Sequence, residues 1–133
     1  MPKSKTILIA EDNVALLKSL SVRLKSEGFN VVETQDGYLA LDYCIRHRPD
    51  LVLMDINMPA GTGLSVQERM SKREELAGIP VVYMTGDTRT SIMDRAAELG
   101  AFAVLHKPIG AKELLAVVRA ALDSDRSGRL EAA

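Results

Sequence analysis

Three carboxylates, one hydroxyl and one ammonium stand where apolar runs of the chain stop. Glu11 and Asp12 follow residues 6–10, Asp55 follows 51–54, Thr85 follows 79–84, and Lys107 comes just after 103–105. If the runs lie side by side, the three acids crowd together and raise one another's proton affinity unless a cation intervenes. A hard divalent ion suits them. Mg²⁺ takes oxygen ligands, keeps several waters and is often held by one or two carboxylates together with phosphate oxygens, so this set fits it better than zinc, and Mn²⁺ could substitute. A cation, a lysine and a hydroxyl are also what a phosphoryl group in transfer needs, because that step rests on positioning and charge neutralisation. An Asp carboxylate can itself be the nucleophile, giving an aspartyl phosphate. Each residue also has a plainer reading: Glu11-Asp12 as a helix start, Asp55 as a turn former, Thr85 as a strand residue, Lys107 as a surface charge.

Those runs must be positioned by strands. The segment Leu51-Val52-Leu53-Met54 is an apolar stretch of strand length that ends in Asp55 and a Met58-Pro59 turn. Residues 6–10 form a similar run, the pattern of a strand covered on both faces. Residues 30–34 form a weaker strand, 79–84 a fourth that tolerates Pro80 at its start, and 103–105 a short fifth. Between them lie helical patterns. Val14, Leu17, Leu20 and Leu24 trace the first, capped by Asn13 and stopped by Gly28; Tyr38, Leu41 and Ile45 mark one face of the second. Gly63 closes a turn over 60–63, and a polar helix is expected from about Leu64 to Glu75. Ile92, Ala96 and Leu99 carry the fourth helix, and Ala111, Leu114, Leu115, Val118, Ala121 and Leu122 the fifth. Strand and helix alternate five times, which implies an α/β parallel sheet with right-handed crossovers and helices on both faces. In such a sheet all strand C-termini share one edge.

The composition sets the frame. With 133 residues, of which 47% are hydrophobic and 26% charged, the chain is one globular domain, expected over 1–122, followed by a polar tail at 123–133. A net charge of -1 without a basic run gives no footprint for direct nucleic-acid binding, and no apolar segment approaches membrane-span length. The single cysteine, Cys44, has no internal disulfide partner and fits a reducing cytoplasm as a buried residue. His47 lies in a basic helix end and His106 is an isolated neighbour of Lys107, so neither is expected as a ligand.

The chain resembles the receiver domains of two-component response regulators from about Lys5 to Leu122. The resemblance is carried by Ile7-Leu8-Ile9-Ala10-Glu11-Asp12-Asn13, Gln35-Asp36-Gly37-Tyr38, Pro49-Asp50-Leu51-Val52-Leu53-Met54-Asp55-Ile56-Asn57-Met58-Pro59, Pro80-Val81-Val82-Tyr83-Met84-Thr85-Gly86, Glu98-Leu99-Gly100-Ala101 and Lys107-Pro108. It implies a flavodoxin-like fold with strand order 2-1-3-4-5 and five helices. It also implies that Asp55 accepts a phosphoryl group from a phosphohistidine on a sensor histidine kinase or phosphotransfer protein. Asp12 and Asp55 would bind Mg²⁺ with the backbone carbonyl of Asn57, and Glu11 would act through metal-bound water. Thr85 and Lys107 would contact phosphoryl oxygens, Lys107-Pro108 would be cis, and Asn57 and Asp87 would tune autodephosphorylation. The resemblance makes the protein a cytoplasmic signalling phosphoacceptor rather than an enzyme, with an output partner still to be identified and a dimer that depends on phosphorylation as one expected response. It departs from the family pattern at Val104, where Tyr or Phe is common, at Ala60-Gly61-Thr62-Gly63 and at Ile109.

Two rivals share some of these residues. An Asp-nucleophile, Mg²⁺-dependent phosphatase expects its nucleophile after the first strand with a second acid two positions on, where Asn57 stands relative to Asp55. A pseudo-receiver that works only as an interaction module would have no need of the complete set of acids, hydroxyl and lysine.

Overall fold

The computed structural model describes residues 4–58, 63–87 and 89–132, with side chains to Asp123; Met1 to Lys3, the Pro59 to Thr62 part of the expected turn, Thr88 and Ala133 lie outside the described residues. Strands β1 (Thr6–Ala10), β2 (Asn30–Thr34), β3 (Leu51–Asp55), β4 (Val81–Thr85) and β5 (Ala103–His106) alternate with helices α1 (Val14–Ser26), α2 (Gly37–His47), α3 (Gly63–Ser71), α4 (Thr90–Glu98) and α5 (Ala111–Ala132). All strand pairs are parallel, in the order β2-β1-β3-β4-β5. This is the flavodoxin-like arrangement.

The middle strand explains the layering. Every residue of β3 is buried, as a strand covered on both faces must be. Side chains alternate across it, so Leu51 and Leu53 join Leu17, Leu20, Leu24, Leu114 and Val118 of α1 and α5. Val52 and Met54 face Ala40, Cys44, Val66, Met70 and Ala96 of α2, α3 and α4. Burying each large aliphatic chain contributes roughly 1.5–3 kcal/mol, so β3, like the fully buried β4, is held from both faces.

Local signals set the helix ends near the site. Asn13 Oδ1 accepts the Leu16 N–H at 3.0 Å, and Asp36 Oδ1 accepts those of Tyr38 and Leu39 at 2.7 and 3.3 Å. Gly28 leaves α1 with φ at 93°, a left-handed conformation that glycine takes without strain.

Several expected boundaries and faces differ. Tyr38 is 65% exposed; the buried stripe of α2 runs through Gly37, Ala40 and Cys44, and Tyr38 stands on its flank with the partly buried Leu41 and Ile45. Val14 is also exposed, in the first turn of α1. α3 ends at Ser71 rather than near Glu75. The run from Ser71 to Glu75 has no apolar group to hold a helix on the sheet, and the chain turns until Leu76 is buried. β4 begins at Val81 rather than Ile79. The helical backbone of α5 continues to Ala132, past Leu122 where its apolar face stops and the polar tail was expected.

Candidate functional site

The sheet's C-terminal edge brings the strand-ending acids together. Glu11 follows β1 directly, and its N–H donates to Thr34 O at 3.0 Å, so β2 still holds its backbone. Its side chain is fully buried, and Oε2 accepts the Asn13 N–H at 3.0 Å. Asp55 is the last residue of β3 and is 5% exposed; Oδ1 accepts the Asn57 N–H at 3.2 Å, which turns the chain away from the sheet. Asp12 is exposed beside them. One oxygen from each of Glu11, Asp12 and Asp55 can be chosen so that all lie within 4.8 Å of one another, the one such group of potential metal ligands among the described residues.

Lys107 closes the cluster. The Lys107 N–H donates to Thr85 O at 2.8 Å, and the peptide that follows, Lys107-Pro108, is cis. Nζ sits 2.8 Å from Glu11 Oε1 and 3.3 Å from Asp55 Oδ2. Burial pushes the Glu11 carboxyl above its ordinary range, opposed by Lys107 and the Asn13 N–H and reinforced by Asp55. Burial likewise raises Asp55, with Lys107 and the Asn57 N–H opposing and Asp12 adding to the rise. Burial disfavours the Lys107 charge, but Glu11 and Asp55 together hold its ammonium above the usual lysine range.

These residues fit a hard cation. The donors are all oxygens, three carboxylates share a single ammonium, and exposed Asp12 leaves the cluster open to water. The ammonium beside Glu11 and Asp55 suits an anion bound to the same cation.

Thr85 and Asp87 are placed differently. Thr85 is buried at the end of β4, and its Oγ1 accepts the Asp87 N–H at 2.9 Å. The Asp87 carboxylate turns to Arg89, whose Nε lies at 2.8 Å and Nη2 at 2.6 Å, and this guanidinium holds the Asp87 carboxyl below its usual range. Asn57 is exposed beside Asp55.

Sequence reasoning missed Arg89, since only the folded structure shows that it pairs with Asp87. It also missed Tyr83, Gln67 and the close approach of Gly63 to β3. The signal for Tyr83 is a polar tip among Val81, Val82 and Met84 within a buried strand. Cys44 is fully buried, and burial pushes its thiol up to about 12, as befits a core residue rather than a nucleophile. No helix among the described residues is long and apolar enough to cross a membrane.

Comparison with known proteins fits this geometry. Residues 7–119 match the response regulator receiver domain. The polar-differentiation response regulator DivK of Brucella anthropi is 34% identical over 122 residues, spanning 92% of this chain and 98% of that protein. DivK of Brucella ovis is 32% identical over 119 residues, or 90% and 97% of the two chains. A CheY-like response regulator receiver domain protein from Methanospirillum hungatei superposes with a TM-score of 0.89 at 26% identity, covering 95% of this chain and 99% of that one. The chemotaxis response regulator CheY4 of Vibrio cholerae shares the fold at a TM-score of 0.83 and 24% identity, covering 88% and 98%.

Proposed function

The chain belongs to the response regulator receiver domain family, and from that membership we propose that Asp55 is its phosphoryl acceptor. The observation that carries this reading is the contact of one ammonium with two buried carboxylates: Lys107 Nζ touches Glu11 Oε1 and Asp55 Oδ2 at the rim of an acid cluster. Asp55 Oδ attacks the phosphorus of a phosphohistidine on a sensor histidine kinase or phosphotransfer protein. The O–P bond forms as the P–N bond breaks, and its electron pair leaves with the imidazole nitrogen, which takes up a proton.

Glu11, Asp12, Asp55 and the backbone carbonyl of Asn57 would hold Mg²⁺, or Mn²⁺ in its place, which supplies neutralisation of phosphoryl oxygen charge. Lys107, in contact with Glu11 and Asp55, balances the remaining charge. Thr85 contributes its hydroxyl to a phosphoryl oxygen once it is released from Asp87. Asn57 and Asp87 flank the acceptor and set how readily water reaches it, Asp87 being steadied by Arg89. The protein acts as a signalling phosphoacceptor in the cytoplasm, assisting its own phosphorylation and dephosphorylation and altering its binding to an output partner.

An acyl phosphate donor should label the protein only when Mg²⁺ is present, and Asp55→Asn should abolish the label. Label that survives in Asp55→Asn rules out Asp55 as the acceptor. Repeated turnover of an exogenous phosphomonoester would indicate a phosphatase instead.

A further inference from the structure

Tyr83 heads the fully buried side chains by volume, and it carries a hydroxyl into the apolar layer beneath the acceptor. It stands on β4 two residues before Thr85, on the same strand face, with Met54 of β3 and Val104 of β5 as its register partners. The ring therefore lies in the layer that Val104 leaves without an aromatic group.

A phenol buried this way needs a partner. Its hydroxyl donates to Oε1 of Gln67, itself a buried residue of α3, and the Gly63 carbonyl oxygen lies 3.3 Å away. Gly63 is tied to the acceptor strand from its other side. Its N–H donates to Ile56 O at 2.8 Å, and a Cβ on it would stand 2.6 Å from the carbonyl oxygen of Asp55 and 3.2 Å from Tyr83 Cε1. Asp55, Gly63, Tyr83 and Gln67 thus form one contiguous packed unit running from the acceptor to the first turns of α3. Burial pushes the Tyr83 phenol above its usual range, so it remains a neutral donor. At the far end, Gln67 lines a groove with Met70, Leu76 and Leu99.

We propose that Tyr83 is a positioning residue for Asp55, fixing the backbone after the acceptor through Gly63 and passing the acceptor's change of charge to α3 through Gln67. Val104 offers β5 neither a ring nor a hydroxyl for that role. This proposal rests on Asp55 being the acceptor.

Amide and side-chain NH₂ spectra of the full chain, with Mg²⁺ and then with beryllofluoride added, separate the two claims. In the unaltered protein the adduct should shift the resonances of Gly63 and the Gln67 side chain. In Tyr83→Phe the adduct should still form and Gly63 should still move, while the shifts of Gln67 and of α3 beyond Gly63 fall to less than about half. Equal α3 shifts in both proteins overturn the proposal, and so does an adduct that leaves Gln67 unmoved in the unaltered protein. Failure of the unaltered protein to form any adduct overturns the acceptor reading, and this proposal with it. If Tyr83→Phe does not fold, Gln67→Leu keeps the ring and removes only its hydrogen-bond partner; an α3 response that persists there also overturns the proposal.

Discussion

Glu11 shows how one side chain records the character of the site. Its carboxylate is fully buried next to Asp55, and burial raises its proton affinity above that of a free glutamate. The folded protein then binds more protons than the unfolded chain between the ordinary glutamate value of 4.5 and the raised value, so this group's contribution to stability is lost as pH rises through that window. Without divalent metal, the stability of Glu11→Gln relative to the unaltered protein should therefore increase from acid to neutral pH, as followed by urea unfolding at each pH. A relative stability that falls would mean that Lys107 outweighs burial. Asp12 is the exposed member of the cluster, where solvent weakens each pairwise repulsion. Asp12→Asn should raise metal-free stability by at most about 1 kcal/mol and weaken Mg²⁺ binding, both readable from one thermal-melt titration. Loss of stability in the metal-free variant would show that the acids are not in conflict.

Between β3 and α3, spacing is set by backbone contact rather than by side-chain choice. Gly63 begins α3 so close to β3 that an added Cβ meets Asp55's backbone oxygen at 2.6 Å and Met54 Cγ at 3.1 Å. Alanine would gain at most about 1 kcal/mol of helix propensity, and less in a first turn, whereas the overlap costs about 1–3 kcal/mol because backbone has to move. Gly63→Ala should therefore lower stability in urea unfolding and slow phosphorylation of Asp55; a neutral or stabilising result would mean that the α3 start yields easily. α2 and α3 also show where periodicity misleads. Tyr38 shares a face with Leu41 and Ile45, but that face only flanks the buried stripe of Gly37, Ala40 and Cys44, and α3 stops when its polar run can no longer reach the sheet.

At the scale of the molecule, the acid cluster makes stability depend on what binds it. A cation that binds only the folded chain should stabilise it by about 2.7 kcal/mol at a hundredfold excess over its Kd, reversed by a chelator. Mg²⁺ should raise the melting temperature saturably, and Asp55→Asn should lose most of that rise; an equal rise in both would place the cation elsewhere. The sequence by itself determined the alternation of strands and helices, because β1 and β3 are apolar on both faces and Asn13 and Gly28 mark the start and end of α1 between β1 and β2. It also determined which residues end the strands, since a charge such as Asp55 cannot continue a buried run. Only the tertiary structure decided their partners. Lys107 is 52 positions from Asp55 in the chain and reaches it because β5 and β3 flank β4 in one parallel sheet. Likewise Tyr83 meets Gln67, Gly63 approaches Asp55 and Arg89 claims Asp87 through packing and turn geometry, which no periodicity along the chain encodes.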